Sequence, residues 1–78
     1  MNMGDAIRIE KELEKHGAKI ILVMHKVATV GVEDGEDALK FAKFLKEQGI
    51  NYNLAEKGVV FNLYANDLCK LLKDGCRG

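Results

Sequence analysis

The sequence carries no surplus of charge of either sign. Twelve lysines and arginines balance twelve aspartates and glutamates, and the formal net charge is zero. Broad electrostatic binding to nucleic acid needs a basic face, so no nucleic-acid partner is expected. The same balance argues against an anionic membrane surface as the main partner. Long apolar runs are also missing. The longest, Ile20-Ile21-Leu22-Val23-Met24, has five residues, whereas a membrane-spanning helix needs about twenty. Cysteine is scarce: Cys69 and Cys76 are too few for a disulfide scaffold. Their spacing fits neither a redox CxxC pair nor a zinc motif. Met1 to Asp5 holds no basic stretch followed by an apolar one, so no signal peptide is expected and cytoplasmic residence is the default. No GxGxxG or Walker-type pattern, internal repeat, low-complexity segment or linker occurs.

What is present fits one small domain over residues 1–78. At this length a single apolar core is barely sufficient. The 47% hydrophobic content makes such a core feasible, and homo-oligomerisation is one common way to add buried area.

Asp5 is an expected helix N-cap. Ala6, Ile9 and Leu13 then form an apolar stripe that predicts an amphipathic helix over 5–16. Lys15 and His16 suit the negative end of its dipole, and Gly17 supplies a left-handed cap. Lys19 to Met24 reads as a strand, and its unbroken apolar run predicts burial on both faces, as in a parallel sheet. Val27 to Val32 is open between a second strand, a bent continuation and a functional loop. The acids around Gly35 favour a helix start, and Ala38, Phe41, Ala42 and Leu45 predict a helix over 36–48, ended by Gly49. Lys40, Lys43 and Lys46 fall on its solvated face. A strand over 50–55 follows, then a turn at 56–58. Val59 to Tyr64 is either a strand or the start of the final helix, which carries Ala65, Leu68, Cys69 and Leu72 and is capped by Asn66 or Asp67. The expected order is helix, strand, helix, strand, strand, helix. The expected class is α/β, with α+β the alternative, and the first two strands should form a parallel βαβ unit.

Ligands of parallel sheets gather beyond the carboxyl ends of the strands. That places a small-molecule site, ligand unknown, on His25, Lys26, Thr29 and Gly31. Histidine titrates near neutrality and can act as base or ligand, although one that ends a strand commonly only hydrogen-bonds locally. Glu33, Asp34, Glu36 and Asp37 offer several oxygens at close range, the preference of Ca²⁺. Their spacing is not that of an EF-hand, and capping also explains them. No other cofactor is expected. Cys69 falls on the apolar face of the last helix as a small core residue. Cys76 is expected to be exposed, with Lys73 and Arg77 near enough in sequence to activate a thiol.

The string AKIILVMHK, the acidic segment, EDALKFAKFLKEQGINYNLAEKGV and LCKLLKDG together resemble the front half of the DsrE/DsrF-like family. The resemblance runs from Lys19 to Gly75. It implies an α/β fold, homo- or hetero-oligomers, a link to sulfur relay, and Cys76 as the sulfur carrier. The residues themselves assemble no catalytic set. They point first to a small binding or assembly domain, with a sulfur carrier at Cys76 and a weak Ca²⁺ module at 33–37 as alternatives.

Overall fold

The computed structural model describes residues 2–77. Helix α1 spans Met3–Glu14. Its N-cap is Asn2, whose side-chain oxygen accepts from the Asp5 amide at 2.8 Å. Asp5, the expected cap, therefore lies inside the first turn. Ile9 and Leu13 of the apolar stripe are fully buried. His16, expected as a helix-end cation, stacks flat on Phe44 with ring centroids 3.7 Å apart.

Strands β1 (Ala18–Met24) and β2 (Val27–Val32) form an antiparallel hairpin. Val27 to Val32 is thus a second strand, and His25 and Lys26 are its two-residue turn. His25 has φ of +56°, a left-handed conformation that hairpin turns of this length demand and usually fill with glycine or asparagine. Helix α2 (Gly35–Glu47) follows, with Asp34 as N-cap accepting from the Asp37 amide at 2.9 Å. Strand β3 (Tyr52–Ala55), the turn Glu56–Gly58 and strand β4 (Val60–Tyr64) come next. The last element is a 3-10 helix, Ala65–Leu71, and neither Asn66 nor Asp67 caps it.

The sheet order is β1-β2-β4-β3, and each adjacent pair is antiparallel. The expected parallel βαβ unit is not formed, and the protein is α+β. The cause is the hairpin. Once β2 folds back on β1 it occupies the position that β3 was expected to take. Strand β4 then inserts between β2 and β3, so β1 and β3 become opposite edges running in opposite directions. The element order changes with it, to helix, strand, strand, helix, strand, strand, with a closing 3-10 helix.

The core lies on one face of this sheet. Ala28 and Val30 of β2 pair with Leu63 and Phe61 of β4, and all four are buried. Phe61 meets Phe41 of α2 and Tyr52 of β3 edge-on, with centroids 5.1 and 5.2 Å away. Such contacts add roughly 0.5–1.5 kcal/mol each beyond area burial. Leu13, Leu45, Ile50 and Leu68 complete the cluster. The result is a two-layer slab of 33 × 24 × 19 Å, with helices on one side and an open sheet on the other.

Candidate functional site

The hairpin scatters the residues expected to bind a ligand. His25 and Lys26 sit at its tip and border a shallow cleft of about 460 Å³ with Asn2, Met3 and Ala65. Gly31 lies at the other end of β2, in an open depression with Glu14, Lys19 and Glu33. Thr29 lies between them on the open face, where its hydroxyl donates to Asn62 Oδ1 at 2.8 Å. The four do not converge on one cavity.

The acids at 33–37 are spread by the start of α2. Asp34 is committed to capping, and Glu36 pairs with Lys40 one turn on. Asp37 is directed toward Gly17. Among the described residues, no group of three or more His, Cys, Asp or Glu side chains is placed to hold a metal ion.

Cys76 is not a lone exposed thiol. It is half-buried and forms a disulfide with Cys69, with Cα atoms 5.2 Å apart. A sulfur carrier acts through a free thiolate, and here that sulfur is bonded to its neighbour. The disulfide belongs to a clasp that sequence reasoning missed. Asp5 is 1% exposed. Its two carboxylate oxygens accept from the Arg77 backbone amide at 3.1 and 3.0 Å, and one also receives Arg8 Nη1 at 3.3 Å. Asp74 receives both Arg8 and Arg77. Those guanidiniums, Arg77 first, hold its carboxyl below the ordinary value of 3.8. The C-terminal tail is thereby tied to the first turn of α1. Asp5 precedes the apolar stripe in sequence and reads there as a cap, so the clasp left no signal of its own.

The most distinctive surface is the uncovered face of the sheet. Strand β1 was expected to be covered on both sides. It is an edge strand with one neighbour, and its outward side chains are about half exposed. The ladder slips between Ile20, which pairs with Val30, and Leu22, which pairs with Thr29. Ile21 is the extra residue of this β-bulge, and its side chain lies across Gly31. A Cβ built on Gly31 would come within 2.6 Å of Ile21 Cδ1. Beyond the bulge, Leu22 and Met24 take the outward positions, beside Val27 of β2 and Tyr64 of β4. The exposures are 55% for Ile21, 49% for Leu22, 57% for Met24, 41% for Val27 and 64% for Tyr64. Single exposed apolar residues are ordinary on a surface, but a contiguous group is characteristic of a contact site. Asn53 and Asn62, paired with each other, are polar positions on the β3–β4 half of the same face, with Ala55 and Val60 as the next outward pair. The sequence signal was present in the five-residue run itself, which breaks the alternation that a half-buried strand should show.

Fold and surface together define a small α+β domain with an open-faced antiparallel sheet. Compared with protein-family models, curated proteins and solved structures, the chain matches none. Among the described residues, no helix is long and apolar enough to cross a membrane.

Proposed function

We propose that the chain is a binding or assembly domain whose working surface is the open face of the β1–β2 hairpin. One observation carries this reading: Ile21, Leu22, Met24, Val27 and Tyr64 form a contiguous, half-exposed apolar group on the sheet. Leaving that area in water is unfavourable by roughly 25 cal/mol per Å², so a partner that covers it gains from the contact. The chemistry is recognition by shape and apolar area, with Asn53 and Asn62 as a polar margin.

Titration with the amphiphilic dye anilinonaphthalene sulfonate, followed by backbone amide NMR shifts, tests this. Shifts should concentrate at residues 21–27 and 64. At a concentration where the chain is monomeric, a dye that moves only the helical layer, or nothing, removes the basis of the proposal.

Residence in the cytoplasm belongs to the same proposal and bears on the clasp. Cytosolic glutathione and thioredoxin keep most thiols reduced, whereas disulfides persist in oxidising compartments. Thiols trapped by alkylation at lysis report which form the cell holds. Two free thiols per chain accord with the cytosol, and none places the protein in an oxidising space.

A further inference from the structure

We infer that the occupant of the open face is a second copy of this chain, stacked sheet on sheet across a two-fold axis with the β1–β2 hairpins opposed. This rests on the reading of that face as the working surface and names its partner.

The area comes first. A folded monomer of 8.7 kDa is expected to expose about 4,700 Å². This chain exposes 5349 Å². The excess is roughly 600 Å², and two copies covering it reach about 1,200 Å², where specific interfaces begin. Among the described residues, five of the ten exposed large hydrophobic side chains lie together on this one face.

Charge comes second. The formal net charge is zero and the sequence pI is about 6.7, so two copies meet near neutral pH without long-range repulsion. A strongly basic or acidic partner finds no complementary field here.

The bulge selects the mode. An edge strand can pair with another chain through its free backbone groups. Among the described residues, β1 makes no backbone hydrogen bond outside its ladder with β2. A bulge, however, interrupts the straight row of donors and acceptors that edge pairing needs and is one way proteins blunt an edge. The same bulge brings Ile21 and Leu22 onto the outer face together. It weakens the edge and enriches the face. Opposing hairpins then set apolar half against apolar half and leave Asn53 and Asn62 at a wet margin, the usual core-and-rim arrangement. The contact is isologous, so it closes at two copies and does not propagate.

Sedimentation equilibrium of the full chain from about 10 μM to 1 mM tests the inference. The apparent mass should rise from 8.7 kDa toward twice that value and stop there. The double variant Leu22→Lys, Tyr64→Lys should remain at the monomer mass, with an unchanged circular dichroism spectrum. Met24→Lys alone, a milder change at an exposed position, should raise the dissociation constant at least tenfold. Leu39→Lys on the helical side should dimerise as the wild type does. Three results overturn the inference: a wild type at monomer mass throughout, a dimer that survives the double variant, or concentration-dependent amide protection confined to the outer edge of β1. Dye titration on the same samples separates the two levels. A monomer whose open face still binds the dye loses the dimer and keeps the surface. A monomer whose face binds no dye loses both.

Discussion

At the residue scale, three positions explain most of what is unusual here. His25 holds a left-handed φ of +56° as the first of two turn residues, where glycine is favoured. His25→Gly should therefore stabilise the hairpin by about 0.5–1 kcal/mol, read as a higher midpoint in urea with unchanged slope. Asp5 is the opposite case. Its carboxylate is buried and accepts the Arg77 amide on both oxygens. Asp5→Ala should cost about 1–3 kcal/mol by leaving buried donors without an acceptor, and Asp5→Asn should cost less because one acceptor oxygen remains. Gly31 is the third. Its missing side chain is what lets Ile21 lie flat on the sheet. None of the three was legible in its role. His-Lys carries none of the Asn-Gly or Asp-Gly chemistry that marks a hairpin, so the turn and the strand after it stayed ambiguous. Asp5 looked like a cap because an acid before an apolar stripe usually is one, and the amide it serves lies at the far end of the chain.

Elements were legible where their signals are local. Helix α2 has acids at its start, a four-residue apolar stripe and Gly49 beyond its end, and the structure confirms it within a residue. The final segment misled for a physical reason. Its leucines and cysteine fit a helical face, but a disulfide spanning Cys69 and Cys76 and a tail turned back toward α1 leave it as a 3-10 turn. This clasp should act as one unit. In the chain-entropy account, closing so short a loop contributes about 2–3 kcal/mol. Cys69→Ser with Cys76→Ser should lower stability by that amount in denaturant titrations. Combining them with Asp5→Ala should cost clearly less than the two losses added, because a freed tail already withdraws Arg77 from Asp5. The Asp74 pair adds a pH signature. Its carboxyl is held below 3.8 by Arg77 and Arg8, so its contribution is present above that pH and is lost as pH falls through the lowered folded value. Asp74→Asn should melt below the wild type at neutral pH, and the gap should close in acid. The pair is exposed, so the gap is small.

At the scale of the whole molecule, strand order was the least legible feature. A strand's own residues record whether it is covered, not which strand lies beside it, and one unrecognised hairpin put β2, rather than β3, beside β1. The apolar run that suggested a sheet covered on both faces was a real signal with a different cause: it is apolar on an open side. If a second copy covers that side, folding and association are one equilibrium, and stability depends on protein concentration. Above the dissociation constant, a tenfold increase in concentration stabilises the dimer by about 1.4 kcal/mol, or about half that per chain. For a domain of this size that is a rise of roughly 3–6 °C in Tm. Calorimetric scans at tenfold intervals should show the rise in the wild type and in Leu39→Lys. The Leu22→Lys, Tyr64→Lys variant should melt at one temperature throughout. A wild-type Tm independent of concentration up to the millimolar range would overturn the dimer.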